Sequence, residues 1–335
     1  MKKLISLTFI FVLGLYLIGF AQDEEASEPL SISGSVDTYW KYDFSGNANQ
    51  PTWFGTDQSS VSLGMVNVVL SQTVGKATFV GDLAFGPRGD GSGDSSGAAT
   101  APGSIQNLYV AYSLSDVVTI TGGFMGTFIG YEVISPTANF NYSGSYLFSN
   151  GPFQNAGIKA DFAISDKVGL MVGLFSSQWD SYTADPTEGM DNIGTQLSLA
   201  PVDGWDVYLN YITGSKFAQW DITTGYQISD PFYIGLNVSE NTKYDLDETG
   251  FFGIAGYVQY AVSDVTSFGV RYETFDDKDD AKYSSITFSA NIKAGPLTII
   301  PEFRMDSSDM DSFIDSKEVN TDKFSQFALA AVYSF

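Results

Sequence analysis

The chain has 335 residues, 39 acidic against 16 basic side chains, a formal net charge of −23, and neither histidine nor cysteine. Without histidine there is no imidazole base or imidazole metal ligand, and without cysteine no thiolate nucleophile, zinc cluster, iron–sulfur centre or disulfide. Aromatic residues at 15% and 34 glycines exclude a disordered acidic chain, which would be poor in aromatics.

The first element in the chain reads as a processed segment. Lys2 and Lys3 precede an apolar run from Leu4 to Phe20, and Gly19 and Ala21 place small residues at the −3 and −1 positions before Gln22. This is the layout of a secretory signal occupying residues 1–21. An uncleaved membrane anchor is the rival reading, since a run of this length just spans a bilayer; the small-residue site followed by Asp23, Glu24 and Glu25 favours cleavage. Residues 22–31 then form a short periplasmic lead-in to a single domain at 32–335. Loss of the two leader lysines leaves the chain more acidic still, which argues against a nucleic-acid partner.

From residue 32 the hydrophobic period is two. Ile32, Gly34, Val36, Thr38, Trp40, Tyr42 and Phe44 share one face, while Ser33, Ser35, Asp37, Lys41 and Asp43 share the other. The pattern recurs and predicts sixteen strands, at about 32–44, 60–71, 76–85, 105–114, 117–124, 154–164, 167–176, 192–200, 205–213, 216–227, 232–239, 251–261, 266–275, 283–294, 297–305 and 324–335. Every second link is short and rich in turn formers, such as Ser115-Asp116, Ser263-Asp264 and Gly295-Pro296. The links between them, 45–59, 86–104, 125–153, 177–191, 240–250, 276–282 and 306–323, are long and mostly polar, with Gly214-Ser215 the one tight exception.

A soluble β-sandwich has no reason to sort its loops by length. A transmembrane antiparallel up-and-down β-barrel does, with short periplasmic turns, long external loops and one face of each strand on lipid. Sixteen strands put both termini of the chain on the periplasmic side; 14 or 18 strands are the alternatives. The alternation assigns Asp37, Lys41, Asp82, Lys159, Asp161, Asp206, Asp221, Arg271, Glu273, Lys293, Glu302 and Arg304 to a water-filled lumen. A lysine or arginine on the lipid face near mid-membrane would instead cost about 2–4 kcal/mol. The last strand carries Phe327, Leu329, Ala331, Tyr333 and Phe335 at every second position, the pattern expected of a closing strand presented to the barrel-assembly machinery through Phe335.

The link at 125–153 departs from the other long loops. It reads MGTFIGYEVISPTANFNYSGSYLFSNGPF, with Glu132 its sole charge and Phe128, Tyr131, Phe140, Tyr142, Tyr146, Phe148 and Phe153 as aromatics. Rings in this number imply packing against a surface. The surface to hand is the inner wall, so this third external loop is expected to fold inward; an external cap or a subunit contact is the other reading.

The same region resembles the OmpL-like β-barrel porins of Gram-negative outer membranes. The resemblance is carried by Gln106–Leu114 (QNLYVAYSL), Gly122–Ile134 (GGFMGTFIGYEVI) and Asn139–Lys159 (NFNYSGSYLFSNGPFQNAGIK). Its most specific parts are Gly130-Tyr131-Glu132, and the stretch from Asn141-Tyr142-Ser143 to Gly151-Pro152-Phe153. The resemblance implies a channel for passive solute diffusion in the outer membrane.

With no histidine, the sites by which some outer-membrane barrels act as hydrolases are unavailable, and no carboxylate pair is seen to converge in a cleft, so no enzymatic role is expected. Tyr131, Glu132, Asn139, Asn141, Tyr142 and Tyr146 of the loop, with Lys41, Arg271, Glu273, Glu302 and Arg304 of the wall, are expected to form the pore constriction. Lys41, Arg271 and Arg304 would make a basic arc facing Glu132. The outer loops, whose bases are Arg88, Lys243, Lys278, Lys282, Lys317 and Lys323, carry an excess of acid and predict a modest cation preference. No cofactor is expected beyond Ca²⁺ or Mg²⁺ loosely held at runs such as Asp276–Asp280 or Asp306, Asp309, Asp311 and Asp315. Expected partners are outer-membrane lipids, lipopolysaccharide, small solutes and two further copies in a homotrimer. The rival function is a plugged barrel serving as an adhesin or envelope-structural protein.

Overall fold

The computed structural model describes residues 28–55, 57–90, 103–177, 179, 181–184, 186–243, 249–278 and 280–335. The expected signal segment, most of the periplasmic lead-in and Asp279 lie outside them. Extended chain dominates, as period-two alternation demands: β1 (Ser31–Asp43), β2 (Val61–Val74), β3 (Ala77–Phe85), β4 (Ile105–Ser115), β5 (Val118–Gly126), β6 (Gln154–Ser165), β7 (Val168–Phe175) and β8 (Asn192–Leu199) form the first half. The second half comprises β9 (Trp205–Thr213), β10 (Phe217–Ser229), β11 (Phe232–Lys243), β12 (Gly250–Ser263), β13 (Thr266–Asp277), β14 (Lys282–Ala294), β15 (Leu297–Ser308) and β18 (Lys323–Ser334). These sixteen pair antiparallel with their chain neighbours, and β18 closes the barrel on β1, with Val36 opposite Tyr333 and Trp40 opposite Leu329. Closure leaves no open sheet edge.

All sixteen strands lie within four residues of the positions expected from the alternation. Two of the largest extensions are at the outer ends, where Glu240–Lys243 and Asp306–Ser308 remain in the ladder. There the outward positions turn polar, so the apolar period fades while the backbone pairing continues. The outer loop after β15 also holds a two-stranded hairpin, β16 (Phe313–Ile314) with β17 (Asn320–Thr321), too short for a periodic signal. Two helical turns, α1 (Pro87–Asp90) and α2 (Tyr146–Ser149), complete the described elements.

The two faces are sorted in the opposite sense to a water-soluble protein. Val110, Ile158, Leu209, Val258 and Leu329 stand exposed on the outside, while Asp37, Arg271, Glu273 and Arg304 are buried inside. No described helix is long and apolar enough to cross a membrane; the strands do so, and strands of eight to fourteen residues suit a tilted crossing.

The first external loop differs from expectation. It was expected to be a polar loop outside the barrel, but Thr52, Trp53 and Phe54 turn inward and are buried. Trp53 and Phe54 make an apolar cluster within the lumen with Tyr39, Tyr142, Phe153, Ile300, Ala330 and Val332. The physical reason is the pair of large rings, which in water would expose apolar surface and which here pack against the third loop: Trp53 tilted against Phe153 at 4.9 Å and Phe54 edge-to-face with Tyr142 at 5.4 Å. A closed barrel of this kind resists detergent, because every strand keeps both hydrogen-bonded neighbours. The unheated protein should therefore migrate faster on SDS gels than the boiled protein; identical migration of a native sample would contradict closure.

Candidate functional site

The third external loop runs from the end of β5 to the start of β6, and it lies across the lumen rather than above it. Four of its side chains seat over glycines on the inner wall. Phe128 covers Gly194 of β8, Tyr131 covers Gly235 of β11, Leu147 covers Gly253 of β12 and Phe140 covers Gly269 of β13. A Cβ added at Gly194 or Gly253 would lie 2.6 Å from the loop side chain, and closer still at Gly269. Glycine inside a strand ordinarily weakens it; here each absent side chain makes a socket for a loop residue.

Polar contacts complete the attachment. Glu302 of β15 accepts the backbone N–H groups of Tyr142 and Ser143 at 2.7 and 3.0 Å. Glu273 of β13 accepts those of Tyr146 and Leu147, both at 2.8 Å. Tyr146 and Leu147 open α2, whose cap Ser145 accepts from Phe148 N–H, so Glu273 satisfies N–H groups that a helical turn leaves without internal partners, while Glu302 holds the backbone just before it. Asn141 donates to Ser289 at 2.7 Å, and Asp221 of β10 accepts from Gly130 N–H at 3.1 Å.

Three arginines bind the loop from other directions. Arg271 donates to Glu132 at 2.6 Å and to the Ser143 carbonyl at 2.7 Å. Glu132 also accepts from Ser145 N–H at 2.8 Å. Arg304 is held by Asp306 at 2.7 Å and donates to the Gly144 carbonyl and to Thr52 of the first loop, at 2.9 and 2.8 Å. Arg88 of α1 lies 3.7 Å from Asp37 and 3.8 Å above the Phe54 ring, and donates to the carbonyls of Ile134 and Tyr142. The Tyr142 hydroxyl donates to Asp37 at 2.6 Å and that of Tyr146 to Asp306 at 2.8 Å. Lys41 donates to the Gly55 carbonyl. Nearby in the first loop, burial pushes the Asp57 carboxyl up, but hydrogen bonds from Ser60, Tyr39 and Ser62, with the Lys41 charge, hold it below the usual carboxylate range.

The residues expected at the constriction are thus brought together, but in a different arrangement. The sequence reading leaves Lys41, Arg271, Glu273, Glu302 and Arg304 facing water along the wall. In the structure Arg271, Glu273 and Arg304 are 0% exposed and Lys41 and Glu302 are 2% exposed, because the first and third loops cover them. No basic arc faces Glu132 across open space, since Arg271 touches it directly. Arg88, expected in the outer vestibule, is inside at 1% exposure. Asp37 and Asp221 are buried as well, whereas Asp82, Lys159, Asp161, Asp206 and Lys293 keep contact with solvent. Tyr131 stacks on Tyr257 at 4.2 Å and shares a 2.6 Å hydrogen bond with Tyr233, and Asn139 closes a turn by bonding the backbone of Val133.

Sequence reasoning missed Thr52, Trp53, Asp306, the inward role of Arg88 and the four socket glycines. The glycines had a signal, since each falls on the lumen side of an alternating strand, but their partners are set by the fold of the loop.

A closed sixteen-stranded barrel, apolar outside and polar inside, with a loop fixed across its lumen, is an outer-membrane channel protein of the porin class. The chain belongs to the family described as "Putative beta-barrel porin-2, OmpL-like", whose model matches residues 29–335. In fold it is similar to the anion-selective porin from Comamonas acidovorans, with 13% identity, a TM-score of 0.62 and coverage of 92% of this chain and 100% of that one. It is likewise similar to OmpF of Salmonella typhi, solved in complex with daunomycin, with 15% identity, a TM-score of 0.60 and coverage of 91% and 97%. A third similar structure is OmpT in trimer form, an outer membrane protein of Vibrio cholerae folded in vitro, with 12% identity, a TM-score of 0.59 and coverage of 92% and 100%. No curated protein sequence matches the chain.

Proposed function

We propose that the protein is a passive, non-enzymatic channel for small hydrophilic solutes and ions, with a modest cation preference. The observation that carries the reading is the local neutralisation of the buried wall charges: Arg88 beside Asp37, Arg271 with Glu132, Arg304 with Asp306, and two glutamates on backbone N–H groups. Wall charges so compensated set the position of the third loop, and through it the width of the passage. Charge preference then falls to the acidic outer vestibule, which has lost Arg88 to the interior. In a planar bilayer the folded protein is expected to conduct. Its reversal potential across a salt gradient should favour cations at low salt, and the preference should fade as the Debye length shrinks from about 30 Å at 0.01 M to about 3 Å at 1 M. Clear anion preference at low salt would refute the vestibule as the selective element.

The inward first loop and the apolar cluster it builds with the third favour a second reading, a plugged barrel that acts as an adhesin or envelope-structural protein. Persistent absence of conductance from folded protein would decide for it. Cleavage of residues 1–21, the lead-in at 22–31, delivery through the Phe335 strand, contacts with lipid and lipopolysaccharide and a homotrimer belong to the same proposal; the trimer form of the Vibrio cholerae neighbour supports the last. Loosely held Ca²⁺ or Mg²⁺ at the outer loops also belongs to it, although among the described residues no three carboxylates converge on one point.

A further inference from the structure

On the periplasmic side of the third loop the lumen opens into a cavity of about 600 Å³, within the range of small-molecule sites. Its charge is the reverse of the rest of the molecule. In a chain with 39 acidic residues, no carboxylate lines this cavity among the described residues, and its one ionisable charge is Lys293 of β14. The carboxylates further along the inward face of the same wall, Glu302 on β15 and Glu273 beyond Arg271 on β13, are turned onto backbone N–H groups of the loop, so the loop itself stands between them and the cavity.

Four of the polar side chains facing this space are uncommitted. Gln259 of β12, Ser267 of β13, Lys293 of β14 and Thr298 of β15 line it, and none makes a side-chain hydrogen bond or ion pair among the described residues. The charged groups nearer the loop, Arg271, Glu273, Glu302 and Arg304, are all bonded, whereas these four neighbouring strands bring donors and acceptors without such bonds to one recess. Opposite them, Tyr131, Tyr233 and Phe140 bring ring carbons to the same space, and all three are held in place: the two tyrosine hydroxyls by each other, and the Phe140 carbonyl by Asn291.

From this geometry we infer that the inner vestibule binds a small polyhydroxylated carboxylate of the sugar-acid class, with Lys293 pairing the carboxylate, Gln259, Ser267 and Thr298 meeting the hydroxyls, and the rings covering the C–H face. A lone ammonium in a carboxylate-free recess favours an anion, and neutral groups that both donate and accept suit hydroxyls better than a bare inorganic ion. The acidic outer loops do not cancel the site, because at physiological salt their field decays over about 8 Å and the third loop intervenes.

The inference extends the channel reading, and its test does not depend on conductance. Gluconate, with glucose as its uncharged counterpart, is titrated calorimetrically into the folded protein in detergent. Gluconate is expected to bind about tenfold tighter than glucose, Lys293→Gln to remove that difference, and Lys293→Arg to keep most of it, since a charged hydrogen bond supports a discrimination of about this size. Because Lys293 is exposed and unpaired, neither variant threatens folding, which the heat-modifiable gel shift verifies. Equal binding of gluconate by wild type and Lys293→Gln, or no binding by either, overturns the site. Gluconate binding by a protein that never conducts would overturn the channel reading and leave the site standing.

Discussion

Replacing Arg271 with alanine is expected to release the third loop from the wall and raise single-channel conductance severalfold. The guanidinium holds Glu132 at 2.6 Å and the Ser143 carbonyl at 2.7 Å, and both Arg271 and Glu132 are nearly or wholly removed from water, at 0% and 5% side-chain exposure. Truncation leaves a buried carboxylate and a carbonyl without their donor. Breaking one side of such a pair costs about 3–5 kcal/mol, while the barrel keeps its full complement of strand pairs. The cheapest relaxation is therefore movement of the loop rather than unfolding of the sheet. Arg271→Lys should fall between, since an ammonium can meet Glu132 but cannot span to the Ser143 carbonyl with the same fork. Lys159→Ala is the control: its partner Asp161 is 41% exposed, so its loss leaves the loop in place. Single-channel recordings and the thermal midpoint of loop-sensitive tryptophan fluorescence would check this. Wild-type conductance in Arg271→Ala would mean that the rings and the remaining polar contacts, Glu273, Glu302 and Arg304 among them, hold the loop without it.

The second large effect concerns the sockets. Gly269→Val is expected to displace Phe140, with the displacement reversed by Phe140→Gly in the same chain. On strand propensity alone valine should improve β13 by up to about 1 kcal/mol. The socket predicts the opposite sign for the loop, because the new Cβ would overlap the Phe140 ring, and overpacking of this kind costs about 1–3 kcal/mol. The single variant should thus show higher conductance with an undiminished gel shift, and the double variant should show closer to wild-type conductance. Gly253→Val against Leu147 is an independent repetition on β12. Gly256→Val is the control, since a Cβ there meets nothing within 4 Å. Equal behaviour of Gly269→Val and Gly256→Val would remove the socket from the account.

The barrel was legible because the information that specifies it is local. A two-residue period from Ile32 to Phe44, or from Tyr283 to Lys293, states which face meets lipid without reference to any other strand, and the alternation of short and long links states which end faces the periplasm. The inward third loop was legible for a related reason: its rings and single charge are a property of one segment. The arrangement within the lumen was not legible in this way. Arg271 meets Glu132 across 139 positions of chain, Arg304 meets Thr52 across 252, and Arg88 meets Asp37 on a strand that precedes it by two hairpins. Each of these contacts depends on strand register and on how far two loops descend.

The exposure of the wall charges turned on the same point. Alternation correctly directs Lys41, Arg271, Glu273, Glu302 and Arg304 inward, but inward is wet or dry according to what fills the lumen, and the filling comes from Trp53, Phe54 and the 125–153 loop. The chain by itself therefore determined the barrel and the entry of the third loop, because these follow from side-chain periodicity and link composition. Only the tertiary structure decided which charges are paired, which glycines are sockets and which recess keeps a free lysine, because those are outcomes of packing between segments that the sequence holds far apart.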